Sequence, residues 1–457
     1  MSNTSANFKN RTLFHGDNLD FLRAMNSQSV DLIATDPPFN KGRDFHATPD
    51  SLAKGASFQD RWSWKRDVHE SWLDQINDDW PQVMEAIENS RKTYGDDMGA
   101  FLCFMAVRLI GMRRVLKDSG SIYLHCDPTA SHYLKMVMDG IFGRKNFINE
   151  VIWHYESGGR AKNFLPKKHD VLFWYAKNHK KKVFNGDAIS IPRNECSLCG
   201  QKLEKWNNLK KNVDKDGRVY RTIKSAGKEY RYYDDEPVLP SDVWLGINHL
   251  QQKDPERTGY PTQKPLALYE RIIQASSQKG DMVLDPFCGC ATTPIAAERL
   301  GRQWVGIDIW KTAHKQVIDR LTQEGLISPE GKKTGLFNKG QIHLIETPPE
   351  RTDEGETDAP YMVTVKKVYE PEGSRMSRAQ MVDFLIEQNG MKCQGCDRTF
   401  DDPRYLELDH NTPRADGGIN HISNRILLCG PCNKVKSNTL TLSGLRRMNK
   451  KNGHMVM

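Results

Sequence analysis

The sequence predicts an α/β protein built on a largely parallel sheet, followed by a second, small domain stapled by cysteines. Three observations lead there. Short apolar runs alternate with helical patterns at both ends of the first 325 or so residues, two Cys-x-x-Cys pairs stand 32 residues apart near the C-terminus, and an acidic, proline-bearing stretch divides the two regions. A length of 457 residues admits two to four domains. An apolar fraction of 38% with 27% charged residues excludes disorder, collagen and coiled coil as descriptions of the whole chain. No run of 18 apolar residues occurs, and the start MSNTSANFKNRTLF lacks an apolar signal core. Membrane spanning and secretion are therefore not expected, and a cytoplasmic location is. Ten cysteines are too sparse for a disulfide scaffold, so metal is the better expectation for the paired ones.

The elements follow in order. Thr12 to His15 is a short apolar strand, Asn18 to Met25 has helical spacing, and Val30 to Thr35 is a buried strand. Trp62, Trp64, Trp72 and Trp80 fall in a Trp-rich stretch expected to pack a helical core, ahead of a long apolar helix from about Gly99 to Leu116. Gly120 to His125 is a strand. Later, Leu266 to Ser276 and Ala291 to Leu300 read as helices, and Met282 to Leu284 and Trp304 to Ile307 as strands. Residues 346–358 hold six acids, one arginine and two prolines, the composition of a linker or exposed loop.

The net charge of +8 is unevenly spread. Residues 160–231 carry 19 Lys and Arg against 7 Asp and Glu, interleaved with aromatic residues. Lysines neutralise phosphates and aromatic faces stack on bases, so the segment suits nucleic acid, while a solvated Lys-rich insert would have the same composition.

Two loops carry chemistry. The strand Val30 to Thr35 runs into Asp36-Pro37-Pro38-Phe39-Asn40 at a position where a parallel sheet opens its ligand crevice. A carboxylate and a neighbouring carbonyl there can accept both hydrogens of an exocyclic amine, and Phe39 can stack on a planar ring. An isolated Asp-Pro-Pro also serves as a rigid strand exit. The second loop, Asp285 to Thr293, joins a strand to a helix whose free N–H groups suit an anionic group. Asp308 ends the next strand, placed to bind ribose hydroxyls by the logic of dinucleotide folds, although the G-x-G-x-x-G spacing is absent.

The segments LFHGDNLDFL, DLIATDPPFN, GSIYLHCD, PTQKP and DMVLDPFCGCATT, in this order, resemble the amino-group DNA methyltransferases of the β arrangement over about residues 11–325. The resemblance implies a Rossmann-like S-adenosylmethionine-dependent fold with an inserted target-recognition region, acting on double-stranded DNA. By that resemblance Asp36, Pro37, Pro38 and Phe39 form the catalytic loop. Asp285, Phe287 and Gly289 form the S-adenosylmethionine loop, Asp308 holds the ribose, Asp17 approaches the adenine side, and Gln263 and Lys264 lie near the methionine end. Two departures stand out. Ala291 replaces a second glycine common in the family, and a catalytic motif opening with Asp favours adenine N6 over cytosine N4. Methylation at cytosine carbon 5 is set aside, since it needs a cysteine nucleophile and the lone Pro-Cys pair, Pro431-Cys432, lies in the metal-like cluster.

Cys393-x-x-Cys396 and Cys429-x-x-Cys432 have the pattern of a four-thiolate structural zinc site. With the intervening Asp409-His410 and Asn424, residues of about 378–440 resemble HNH nucleases with a ββα-metal fold. By resemblance His410 is the general base, Asn424 orients its ring, and Asp409 with Asn433 binds Mg²⁺ or a similar divalent ion. Many relatives have His at the Asn433 position, and a zinc-stapled module that only grips DNA is the alternative. Cys196-x-x-Cys199 reads as a pair of ordinary thiols, with half of a zinc knuckle completed by distant ligands as the alternative. The implied organisation is a methyltransferase catalytic half at 1–150, a target-recognition region at 151–250, a cofactor-binding half at 251–345, an acidic linker at 346–375 and an HNH domain at 376–457. Together these imply a restriction-modification enzyme. Relatives commonly self-associate, which leaves a homodimer open.

Overall fold

The computed structural model describes residues 6–48, 51–156, 161–193, 209–326, 342–353, 376–412, 421–437 and 440–456. Cys196, Cys199 and residues 354–375 of the expected linker lie outside them.

One mixed sheet organises the large domain. Across it run Val243–Trp244, Phe147–His154, His169–Ala176, Leu116–Cys126, Val30–Thr35, Met282–Asp285, Gln303–Asp308, Thr12–His15 and His343–Ile345. The expected parallel arrangement holds for the six strands from Leu116–Cys126 to His343–Ile345. His169–Ala176 breaks it, pairing antiparallel on both sides. Its run DVLFWYA is buried throughout, as a strand covered on both faces must be.

Helices cover both faces. On one side the helix Asp96–Val115 is buried nearly all round, wedged among Asn18–Ala24, Pro81–Thr93 and Ser131–Phe142. On the other, Leu266–Ser276, Thr292–Arg299 and Ala313–Gln323 bury Ile272, Ile295 and Val317 against the sheet. The Rossmann-like fold expected from the motifs is what forms. Because the central strands are parallel, Asp17, Asp36, the 286–291 loop and Asp308 emerge along one edge of the sheet.

Residues 342–353 return to this body. His343–Ile345 pairs with Thr12–Phe14, and Asn26 exchanges side-chain hydrogen bonds with Thr352 through both its amide nitrogen (2.8 Å) and its oxygen (2.9 Å). Arg351 and Asp353 form a fully buried ion pair that holds the Ser27 hydroxyl (2.8 Å) and backbone N–H (3.0 Å).

The C-terminal domain is a separate core of Met381, Leu385, Leu408, Leu427 and Leu445 around the four cysteines. Ser377 and Gln380 form a capping box that starts the helix Arg378–Asn389. Strands Leu406–His410 and Arg425–Cys429 pair antiparallel, and the helix Gly430–Lys436 packs on them, giving a ββα unit. No helix among the described residues is long and apolar enough to cross a membrane.

Candidate active site

Asp36 leaves the strand Val30–Thr35 with its carboxylate split between two neighbours. Oδ2 takes an ion pair from Lys264 Nζ at 2.7 Å. Oδ1 is buried, has no hydrogen-bond partner among the described residues, and lies 3.8 Å from His125 Nδ1. His125 is itself fully buried, and its Nε2 lies 3.1 Å from Asp170 Oδ2. The Tyr155 hydroxyl donates to the other Asp170 oxygen at 3.3 Å. Burial alone would raise the Asp170 carboxyl, but the His125 hydrogen bond and charge hold it well below its ordinary value. The Phe39 ring, mostly buried, sits 5.6 Å from the His125 ring with Lys264 Nζ 5.0 Å above it. The loop exit is pinned by Asp60, whose carboxylate accepts the backbone N–H groups of Asn40 (2.6 Å) and Lys41 (3.1 Å); burial pushes this carboxyl up to about 6.

The second loop is held by its own acids. Asp285 Oδ1 accepts from the Thr35 hydroxyl (2.8 Å) and from the Phe287 N–H (3.1 Å), and complete burial raises its carboxyl to about 7. Asp308 accepts the N–H of Gly289 (2.6 Å) and of Trp310 (2.7 Å), and burial raises it too. Gly289 has φ +50°, and a Cβ there would meet the Tyr260 ring at 2.9 Å, so only glycine lets the tyrosine close on the loop. Ala291 is also left-handed, with φ 67°, in keeping with the glycine usual at that position.

These parts line one cavity of about 380 Å³. Asp17, Asp36, Pro37, Pro38, Gln263, Lys264, Asp285, Phe287, Gly289 and Asp308 all border it, while Phe39 does not. Gln263 acts mainly on its own loop: Thr258 donates to its oxygen through both N–H and hydroxyl at 2.8 Å, and its amide donates to the Glu256 carbonyl. The tryptophans pack in the core as expected, and Trp62 and Trp72 also border the cavity.

Arg108 is the site residue that motif reading missed. It projects from the long helix, 2% exposed, and donates to both Asp17 oxygens (2.8 and 3.0 Å) and to Asn18 Oδ1 (2.6 Å). Asn18 in turn donates to the Pro286 carbonyl at 2.6 Å, tying the first motif to the cofactor loop. Burial lowers the guanidinium to about 10, still cationic at neutral pH, and it lies 3.5 Å from the Phe104 ring centroid. A cation with no hydrophobic periodicity of its own, inside an apolar helix, was the available signal.

In the C-terminal domain the sulfur atoms of Cys393, Cys396, Cys429 and Cys432 lie within 4.8 Å of one another, all buried. Cys396 and Cys429 are 3.9 Å apart, close to the ~3.8 Å edge of a tetrahedron with zinc–sulfur bonds of about 2.3 Å. The Asn449 amide donates to Cys432 at 3.4 Å. His410 and Asp409 point to opposite faces of their strand. His410, 1% exposed, has the Arg425 guanidinium 3.1 Å from Nδ1 and the Asp78 carboxylate of the large domain 3.4 Å from Nε2. Asn424 spends its side chain on Thr412, accepting from its N–H at 2.8 Å and donating to its carbonyl at 3.0 Å. Asp409 is 2.8 Å from the buried ammonium of Lys436, and the Asn433 amide donates to Glu407.

Comparison with known proteins identifies the family. The DNA methylase family profile matches residues 30–319, and the HNH endonuclease profile matches residues 393–439. The Type II methyltransferase M.HpaI of Haemophilus parainfluenzae is 28% identical over 304 residues, which are 66% of this chain and 71% of that protein. The DNA adenine methyltransferase YhdJ of Escherichia coli is 28% identical over 347 residues, 74% of this chain and 94% of the relative. A putative DNA modification methylase of Thermus thermophilus, solved with S-adenosyl-L-methionine, has 15% identity and a TM-score of 0.40 over 74% of this chain and 98% of its own. The chain belongs to the N6/N4 DNA methylase family and carries a C-terminal HNH endonuclease domain.

Proposed function

We propose that this protein transfers a methyl group from S-adenosylmethionine to N6 of adenine in a specific duplex DNA sequence, and that its HNH domain nicks or cleaves DNA. The two activities together make a restriction-modification enzyme. The observation that carries the first part is Asp36 Oδ1, a buried carboxylate oxygen without a hydrogen-bond donor among the described residues of the cleft. Such an atom is costly unless a ligand satisfies it. The cleft suits the cofactor: Asp17 and Asp308 offer carboxylates to hydroxyl and ammonium donors, Phe287 and Trp72 offer apolar faces, and Gly289 keeps the loop open. When bound, the cofactor supplies an electrophilic methyl carbon on a sulfonium sulfur.

The chain's own residues supply the rest. Asp36 Oδ1 and the Pro37 carbonyl accept the two amine hydrogens of a base extruded from the helix, which frees the nitrogen lone pair. Lys264 pairs with Oδ2 and leaves Oδ1 unshared. Asp36 receives the proton that the amine loses. Phe39 stacks on the base once Lys264, now above its ring, gives way. The aspartate at the head of the motif favours adenine, and a relative named as an adenine methyltransferase supports the same target.

Asp36→Ala is expected to abolish methyl incorporation into DNA while cofactor binding by calorimetry is retained. Full methylation by the variant would falsify the assignment. Nucleoside analysis of treated DNA distinguishes N6-methyladenine from N4-methylcytosine.

For the HNH domain, the Lys436 contact with Asp409 favours a second reading, in which the zinc-stapled module grips DNA without cutting. Plasmid incubated with Mg²⁺ or Mn²⁺, with and without S-adenosylmethionine, decides between them. Breaks made by the wild type and lost in His410→Ala support cutting; intact plasmid throughout selects gripping. The four buried thiols are proposed to hold zinc.

A further inference from the structure

Within the basic region, Lys211–Val213, Val219–Ser225 and Lys228–Tyr233 form a three-stranded antiparallel sheet apart from the central one. The first of these strands reaches only to the base of the ribbon, pairing Val213, Asn212 and Lys211 with Val219, Tyr220 and Arg221. Arg221, 3% exposed, locks that base by an ion pair to Asp234 (3.1 Å) and a hydrogen bond to the Leu209 carbonyl (3.0 Å). Beyond it the ribbon runs alone among the described residues to a two-residue turn, Ala226-Gly227, both at positive φ (51° and 77°), as a type I′ hairpin turn requires.

The free half has two different faces. One carries Thr222 opposite Arg231 and Lys224 opposite Glu229, with Arg231 paired to Glu229 at 3.4 Å. Solvent satisfies that face. The other carries Ile223 opposite Tyr230, 41% and 46% exposed, with Ser225 opposite Lys228 nearer the turn. An aliphatic and an aromatic side chain paired across strands, left in water at the tip of a ribbon, call for a cover.

We propose that this ribbon enters the major groove of duplex DNA and reads bases flanking the methylated one, with the Ile223–Tyr230 face turned to the base edges. This rests on the reading of the chain as a duplex DNA methyltransferase. Dimensions and charge select the occupant. A two-stranded ribbon fits a groove about 12 Å wide and not the minor groove of about 6 Å. From Tyr220 to Ser225 the strand advances ~17 Å at about 3.4 Å per residue, twice the ~8.5 Å groove depth, so the outer half reaches the floor while the locked base stays outside. The residues from 219 to 233 hold more cationic side chains than carboxylates, which matches a polyanion. The chemistry of the inward face also fits base edges. Ile223 meets a thymine methyl, Lys228 donates to guanine O6 or N7, and the Ser225 and Tyr230 hydroxyls donate or accept.

The test uses the full-length protein with Ile223→Ala, Tyr230→Ala and the double variant, which change exposed side chains and leave the turn and Arg221 lock intact. A plasmid library with randomised inserts is methylated and sequenced for modified bases, and binding to pooled short duplexes is followed by fluorescence anisotropy. The expected result is a loss of preference at one or two positions other than the methylated base and a roughly tenfold fall in methylation of the preferred site. S-adenosylmethionine affinity and the mass by light scattering stay at wild-type values. Unchanged preference with unchanged duplex affinity overturns the proposal. So does a double variant of lower oligomeric mass with intact preference, since the cover is then a second copy of the chain. A wild type that methylates no DNA counts against the parent reading, and the anisotropy arm still judges the ribbon.

Discussion

Replacing Asp285 by asparagine tests how the cofactor loop is held. The carboxyl is completely buried at the end of a central strand, and its ordinary value of 3.8 is raised to about 7 by desolvation, with the Asp36 charge adding to it. The folded state therefore keeps a proton on Asp285 that the unfolded chain releases above about pH 4. Folded protein binds more protons than unfolded protein across that window, so stability falls as pH rises from about 4 to about 7 and is level beyond. At about 1.4 kcal/mol per pH unit the span from 3.8 to 7 amounts to on the order of 4 kcal/mol from this one group. Asparagine keeps the shape, and its oxygen still accepts from Thr35 and from the Phe287 N–H, at a cost of about 1 kcal/mol for imperfect pairing. Asp285→Asn is thus expected to be about as stable as wild type near about pH 4.5 and more stable near about pH 8. Urea unfolding followed by tryptophan fluorescence at several pH values measures the gap. A gap that stays flat with pH, or one that favours the wild type increasingly as pH rises, refutes the reasoning.

Arg108→Met removes the guanidinium from over the Phe104 ring and strips Asp17 and Asn18 of their donor; a loss of about 2–3 kcal/mol is expected, less than for a fully buried pair because Asp17 is half exposed. Cofactor affinity measured by calorimetry should fall at least tenfold, and an unchanged value means that Asn18 alone positions Pro286. Zinc chelation should melt the 376–457 domain, read as loss of its protease resistance, while cofactor binding persists. Ala226→Asn relieves a left-handed alanine at the ribbon tip and should slow amide exchange of the paired ribbon residues by an amount equivalent to about 1 kcal/mol. Unaltered exchange would show that the turn is not the weak point.

What could be read from the sequence was what lies close together in it. Asp36-Pro37-Pro38 and Asp285 to Ala291 each occupy a strand end and the residues just after it, so local periodicity placed them on one sheet edge. The Leu266–Ser276 helix matches its expected bounds for the same reason: it is amphipathic and begins after a proline. Arg108 was hidden because its partners, Asp17 and Asn18, are some 90 residues away, and a cation inside an apolar helix does not by itself say what it pairs with. The His125–Asp170 pair depends on the antiparallel register of Leu116–Cys126 with His169–Ala176, a pairing that strand-helix alternation does not foretell. In the HNH domain the resemblance implies Asp409 as a metal ligand, and its ion pair with Lys436, one helical turn beyond Asn433, is a contact that the motif does not foretell. Motif spacing identifies donors but does not show which neighbouring cation competes for them.

The clasp made by Arg351, Thr352 and Asp353 on Asn26 and Ser27 acts as a fixed post. From that post the chain has 22 residues, 354–375, before Met376 enters the C-terminal domain. At no more than about 3.4 Å per residue, such a length spans at most ~75 Å whatever path it takes. Measured along a duplex at about 3.4 Å per base pair, that is roughly 22 base pairs. If the HNH domain cuts while the large domain is seated on its sequence, the break must fall within about two helical turns of the post, plus the width of the domain itself. If the chain both methylates and cuts, the position of strand breaks relative to the methylated base is bounded by the clasp.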